Sequence, residues 1–122
     1  GGGQLVALTW KPDAFKKALM QQLVANGEVV GQFVEGEAKR RLLAIQDPDW
    51  GAQYRGYVAR LLDNEVKAER RRVSIRVGVR TGYTKWHGYY IELGTSRRAA
   101  HPFLRPAVFE NGAKILALLG GR

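Results

Sequence analysis

The chain has 122 residues, of which 45% are hydrophobic and 25% charged, with a formal net charge of +9 and no cysteine. Length and balance fit a single globular domain over residues 1–122. The missing thiol excludes disulfides, thiolate metal sites and cysteine nucleophiles, and no apolar run approaches the roughly 20 residues that cross a bilayer.

The start, Gly1-Gly2-Gly3, shows no basic stretch followed by an apolar one, so no signal peptide is read there. The charge is unevenly placed. Residues 1–65 hold eight Lys/Arg against eight Asp/Glu, whereas residues 66–122 hold twelve against three. The whole excess lies in the second half, which points to an acidic neighbour: nucleic acid, an anionic surface or an acidic protein.

Gln4 to Trp10 (QLVALTW) is apolar and partly β-branched and reads as a strand. Pro12 then suits the first turn of a helix and Asp13 the positive end of its dipole. A helical period follows over residues 13–45, with Phe15, Leu19, Leu23, Val30, Phe33 or Val34, Leu42 and Ile45 near one face. Gly27, Gly31 and Gly36 each cost that helix about 1 kcal/mol relative to alanine. They read most simply as tolerated residues or a bend; the alternative is that another backbone comes close there. Asp47-Pro48-Asp49-Trp50-Gly51 ends the helix in a turn or loop. Residues 52–69 fit either a helix or a strand, with Tyr54, Tyr57, Val58, Leu61 and Leu62 as their apolar set.

Arg72 to Arg80 (RVSIRVGVR) alternates clearly and predicts a strand with Val73, Ile75, Val77 and Val79 facing a core. The opposite face, extended back one step, gathers Arg70, Arg72, Arg76 and Arg80. This face is either solvated, paired with a neighbouring subunit, or in contact with phosphates. Thr81 to Thr84 is a loop. Lys85 to Leu93 reads as a short helix stopped by Gly94, the usual residue just past a helix C-terminus. A polar loop runs from Thr95 to His101. Pro102 then opens a last helix, Phe103 to Leu119, with Gly120 and Gly121 ending it. The elements define an α+β fold: a long N-terminal helix, a small mainly antiparallel sheet and a C-terminal helix packed on the sheet.

Residues 89–107, YYIELGTSRRAAHPFLRPA, carry the most specific pattern. An aromatic residue (Tyr89 or Tyr90) precedes Glu92-Leu93-Gly94-Thr95. A short polar loop with Arg97 and Arg98 follows, then Pro102-Phe103-Leu104-Arg105-Pro106-Ala107. Together with the preceding Val77-Gly78-Val79 and a long N-terminal helix, this resembles the head–tail joining family of long-tailed bacteriophages and prophages, the neck or tail-completion proteins. The specific part covers Val73 to Ala107. One departure lies in the middle of the chain, where Asp47-Pro48-Asp49-Trp50-Gly51 stands in place of the family's Pro-x-x-Thr-Gly.

The resemblance implies a structural virion protein that is not an enzyme and needs no cofactor. It implies a ring, commonly six-fold and sometimes twelve-fold, around the DNA channel. The ring's partners would be copies of itself, a head adaptor or stopper protein, and a tail tube or tail terminator protein. Non-specific contact with genomic DNA fits this role, and contact with a membrane does not. The place of action would be the virion, after synthesis in the bacterial host cytoplasm. The motif residues Tyr90, Glu92, Gly94, Thr95, Arg97, Arg98, Pro102, Phe103, Leu104 and Pro106 would form the family core and interface.

The residues themselves give the motif scaffold chemistry. Gly94 turns the chain, Thr95 or Ser96 bonds free backbone groups, and Glu92 pairs with Arg97, Arg98 or Arg105. Pro102 and Pro106 sit in the first turn of a helix, and Phe103 and Leu104 anchor that helix. In a ring, the acidic residues Glu35, Glu37, Asp47 and Asp49 of one subunit would meet the basic half of the next. The rival reading is a basic nucleic-acid-binding protein or a small ribonuclease toxin, using His87 and Glu92 with an arginine for acid–base chemistry. No metal-ligand spacing and no phosphate-binding glycine loop is present. Trp86, Tyr89 and Tyr90 near arginines could stack on bases, although aromatics at such spacing more often face a core.

Overall fold

The computed structural model describes residues 12–70, 72–80 and 85–120. The expected strand Gln4–Trp10 and the loop Thr81–Thr84 lie outside these residues. Seven elements follow in order: α1 (Pro12–Leu43), α2 (Ala52–Arg60), β1 (Leu62–Glu69), β2 (Arg72–Val79), α3 (Lys85–Leu93), α4 (Leu104–Phe109) and α5 (Gly112–Leu118). The fold is α+β, with a long N-terminal helix, a two-stranded antiparallel sheet and a C-terminal helical segment.

The hairpin lies across α1 because each element has one apolar face. Leu62 pairs with Val79, Asn64 with Val77, Val66 with Ile75 and Ala68 with Val73. These residues share the inward face, since side chains alternate along a strand. On α1, Val30, Val34, Ala38 and Leu42 are buried at helical spacing. Trp50, Val58, Ile91, Phe103 and Ala107 complete the core from the other elements.

The glycines of α1 do not break it. The helix runs unbroken for 32 residues, and Gly27 and Gly31 are the places where the hairpin comes closest. A Cβ on Gly27 would meet Val66 at 3.1 Å, and one on Gly31 would meet Asn64 Oδ1 at 2.6 Å. Close approach therefore holds at Gly27 and Gly31, although it is side chains of the hairpin rather than its backbone that come near. Asn64 points inward because Gly31 leaves it room, and its amide donates to Glu35 Oε1 at 3.2 Å. Gly36 differs, with nothing within 4 Å of a built Cβ. Gly36→Ala should raise stability by about 0.5–1 kcal/mol, the usual gain for removing a helical glycine's extra freedom. Gly31→Val should lower it by about 1–3 kcal/mol through overpacking. Urea midpoints moving in opposite directions at equal slope would verify both.

The ambiguous stretch 52–69 holds both a helix and a strand, α2 and β1. The expected continuous helix Phe103–Leu119 is instead two short helices. Pro102 does not open it; the first helical residue is Leu104. The break falls at Glu110–Asn111. Asn111 has φ −117° and ψ 22°, and its side-chain Nδ2 donates to the Ala107 carbonyl at 2.9 Å. That bond offers the backbone a local alternative to the helix, and the following Gly112 weakens helical continuation.

Arg55 closes the C-terminal end of α1. Its Nη1 donates to the Leu43 carbonyl at 2.6 Å and its Nε to the Trp50 carbonyl at 2.7 Å. A helix end leaves such carbonyls without partners, and a guanidinium there also meets the negative end of the helix dipole. Arg55→Ala should cost about 1–2 kcal/mol, the worth of hydrogen bonds to a charged group less their solvation. Thermal melting would show the loss.

Candidate functional site

The motif residues converge on two adjoining structures, a buried carboxylate and a basic loop. Glu92, on the last turn of α3, is 7% exposed. Its Oε1 accepts from the Phe103 amide at 2.9 Å and from the Leu104 amide at 2.8 Å. Its Oε2 accepts from the Arg105 amide at 3.3 Å and from Arg105 Nε at 2.9 Å. Arg105 Nη2 also donates to the Glu92 carbonyl at 3.2 Å. The first amides of a helix lack intrahelical partners. The residue at the cap position of α4, Phe103, has no polar side chain to offer. Glu92 supplies the cap from another helix and welds α3 to α4. Of the three arginines expected to pair with it, Arg105 does; Arg97 and Arg98 do not.

Burial pushes the Glu92 carboxyl upward, but the amides of Leu104, Phe103 and Arg105 and the Arg105 guanidinium outweigh it. The net result is a lowered pKa. A carboxyl held below its ordinary value of 4.5 stabilises the fold above that pH. The stabilisation is lost as pH falls through the lower, folded value. Stability measured by denaturant should therefore fall below about pH 4.5, and Glu92→Gln should flatten that fall.

The loop 94–101 leaves α3 through Gly94, whose φ of +77° is the left-handed conformation that ends helices. The Gly94 amide donates to the Tyr90 carbonyl at 2.7 Å, and the His101 amide donates back to Ile91 at 2.8 Å. Inside the loop, Thr95 Oγ1 accepts from the amides of Arg97 at 3.2 Å and Arg98 at 3.0 Å. The loop is strapped to the segment after α1 by two side chains. Trp50 Nε1 donates to the Ala99 carbonyl at 2.8 Å, and His101 Nε2 lies 2.8 Å from Asp47 Oδ2. The Arg98 guanidinium sits 4.9 Å from the Trp50 ring centre, within cation–π range. The His101 contact, followed by the Asp49 amide, holds the Asp47 carboxyl below its ordinary value.

This strapping fixes the backbone and leaves Ser96, Arg97 and Arg98 exposed. Phe103 is fully buried and Leu104 packs half-buried against the core. Pro106 falls within α4, whereas Pro102 precedes it. Tyr90 is 43% exposed. The side chains of Trp86, His87 and Tyr89 lie outside the described residues. Among the described residues, no group of three or more His, Cys, Asp or Glu is placed to hold a metal ion.

The arginine face is not uniformly positive. Arg72 and Arg76 share the outer face of the hairpin, Arg80 follows the strand, and Arg70 belongs to the turn rather than to the face. Carboxylates of β1 stand opposite. Arg72 meets Glu69 at 2.8 Å, Arg80 meets Asp63 at 3.4 Å, and Arg76 is paired in register with Glu65. The sequence did not reveal this compensation because the strand of 62–69 was unresolved in its pattern. Three of the four acidic residues expected at a ring contact, Glu35, Glu37 and Asp47, are likewise engaged within the chain. Glu37 binds Arg40 at 2.8 Å and Arg41 at 3.4 Å, Glu35 lies 3.8 Å from Lys39, and Asp47 meets His101.

Sequence reasoning missed Trp50, Asp47 and Arg55 as parts of this site. The departure of 47–51 from the family pattern marked the segment, and Asp47 was expected to meet a neighbouring subunit rather than His101 of its own chain. No protein-family model, curated protein or solved structure matches this chain.

Proposed function

We propose that this chain is a structural subunit of the head–tail junction of a long-tailed bacteriophage, forming part of a ring around the DNA channel in the neck or at the completed end of the tail. The observation that carries the reading is the state of Glu92. Both carboxylate oxygens of the motif's acidic residue are occupied by three backbone amides and one guanidinium. Such a carboxylate braces helices; it is badly placed to take a proton from a substrate. The brace and the strapped loop together present Arg97 and Arg98 on a fixed backbone, which suits a contact repeated around a ring.

The partners of this reading are copies of the chain, a head adaptor or stopper on one side and a tail tube or tail terminator on the other. The setting is the virion, after synthesis in the host cytoplasm. The work is geometric: two assemblies are joined and a passage is left for DNA. The carboxylates of β1 bring the hairpin's outer face near neutrality, which favours subunit contact over phosphate contact there.

A complementation experiment tests the reading. In a phage or prophage deleted for this gene, the wild-type chain supplied in trans should restore infectious particles. Arg97→Glu should lower the titre at least tenfold while melting close to wild type. Unchanged titre would remove the loop from the assembly. RNA cleavage by the purified chain, lost on His87→Ala, would replace the reading with a ribonuclease.

A further inference from the structure

Charge is graded along the hairpin. Side chains alternate along a strand, so Asp63, Glu65, Lys67 and Glu69 share the outer face with Arg72 and Arg76. At the base the charges balance, with Arg80 against Asp63 at 3.4 Å and Arg76 opposite Glu65. Toward the turn they do not. Lys67 stands opposite the neutral Ser74, and Glu69 is taken by Arg72 at 2.8 Å. Arg70 and Arg71 lie in sequence between that last pair. Residues 66–72 therefore hold four cations against one carboxylate, and Lys67, Arg70 and Arg72 are exposed.

We propose that the tip of this hairpin is a contact for the phosphate backbone of double-stranded DNA, made without reading its sequence. The inference rests on the junction reading and deepens it by naming the element that meets the DNA passing through the ring. The segment Lys67-Ala68-Glu69-Arg70-Arg71-Arg72 has the chemistry for that ligand. It has no aromatic residue to stack on an unpaired base. It has no large apolar residue to anchor a protein partner, and the cores of protein interfaces are rich in such anchors and poor in lysine. Phosphates require charge and reach alone.

The chain's own acidic side chains leave this excess in place. All 11 Asp and Glu residues are among the described residues. Glu35, Glu37, Asp47, Glu92 and Glu110 are engaged elsewhere, with Lys39, Arg40, His101, Arg105 and Arg41. Asp63 and Glu69 are held by Arg80 and Arg72. None of the described ion pairs involves Lys67 or Arg70, so both are left for an external anion.

The first half of α1 adds to the same end of the molecule. A Cβ on Gly31 would meet Asn64, and one on Gly27 would meet Val66. Four helical residues rise about 6 Å and two strand residues about 6.6 Å, so helix and strand keep step in opposite directions. Lys17 stands ten residues before Gly27 on the same helix, about 15 Å along its axis. Arg70 stands four residues after Val66, about 13 Å along the strand direction. Lys16 and Lys17 are exposed, and Asp13 is the one carboxylate in α1 ahead of Glu28. Helix and hairpin thus turn the same positive end outward.

A charge-matched pair of variants tests the site. The full chain is titrated into short fluorescent DNA duplexes of two unrelated sequences, and anisotropy is followed across a range of salt concentrations. The proposal expects equal affinity for both sequences and a linear fall of log K with log salt. Lys67→Gln with Arg70→Gln should weaken binding about tenfold and lower the salt slope by about 2, the loss of two phosphate contacts, while melting close to wild type. Arg76→Gln with Arg80→Gln removes the same charge from the balanced base and should weaken binding by under about threefold. Equal losses from the two variants would overturn the proposal, because net charge rather than the tip would then hold the DNA. Unchanged affinity in the tip variant would overturn it as well. Tip-dependent binding to vesicles of anionic lipid, with none to DNA, would overturn it and assign the tip to a membrane surface. The junction reading stands apart from these outcomes. If DNA binding is absent but particles still need the gene to join, the proposal falls and the junction stays. If the tip holds DNA but particles join without the gene, the site stays and the junction falls.

Discussion

Replacing Glu92 with alanine is expected to lower the stability of the fold by about 3 kcal/mol. The side chain is 9% exposed and its loss leaves the amides of Phe103 and Leu104 without acceptors at the start of α4. A buried donor left unsatisfied costs about 1–3 kcal/mol, and a cap alone is worth about 0.5–2 kcal/mol. For a chain of this size the loss should lower Tm by on the order of 10 °C. Arg105→Ala provides the contrast. Its side chain is 54% exposed, so its ion pair is largely screened and should be worth under about 1 kcal/mol. The two variants, compared by urea unfolding, separate the backbone cap from the surface charge pair. Equal losses would mean that the ion pair, not the cap, joins α3 to α4.

Gly94→Val is expected to cost about 3 kcal/mol. The left-handed backbone at φ +77° disfavours any Cβ by about 1–2 kcal/mol, and a β-branched residue by more. A Cβ would also lie 2.8 Å from the Ala100 nitrogen and 3.1 Å from the Arg98 carbonyl oxygen. These are backbone atoms, which cannot swing aside as a side chain would. The loop must shift, and with it the bond from Trp50 Nε1 to Ala99. In the NMR spectrum, the indole N–H resonance of Trp50 should move and exchange faster with solvent. Complementation should fall further than stability alone explains, because Arg97 and Arg98 lose their fixed position.

The sequence made some of this legible and concealed the rest for physical reasons. Strand β2 was readable because four β-branched residues alternate with polar ones. Helix α3 was readable because Gly94 supplies an unambiguous stop, and both of its bounds agree with the structure. Strand β1 was not readable because only Leu62 and Val66 are large and apolar on its inward face. Asn64 and Ala68 fill the other two positions, and Asn64 is admitted only by Gly31 on another element. The last helix was overextended because its apolar spacing continues through Asn111-Gly112, although that pair is a turn signal. The four-residue spacing of Gly27 and Gly31 could have marked a contact stripe, whereas Gly36 falls outside it. Glu92 was legible as a fixing residue, and its partner Arg105 was among those expected. Its main job, capping α4 from a distance, depends on a fold that brings residues ten or more apart into register. The ties from Asp47, Trp50 and Arg55 depend on the same kind of long-range placement, which no local pattern encodes.

The junction reading is tested most directly by electron microscopy of particles made by a phage or prophage lacking this gene. The reading predicts DNA-filled heads alongside separate, complete tails, or tails of abnormal length if the ring completes the tail. Normal, infectious, fully joined particles would contradict it.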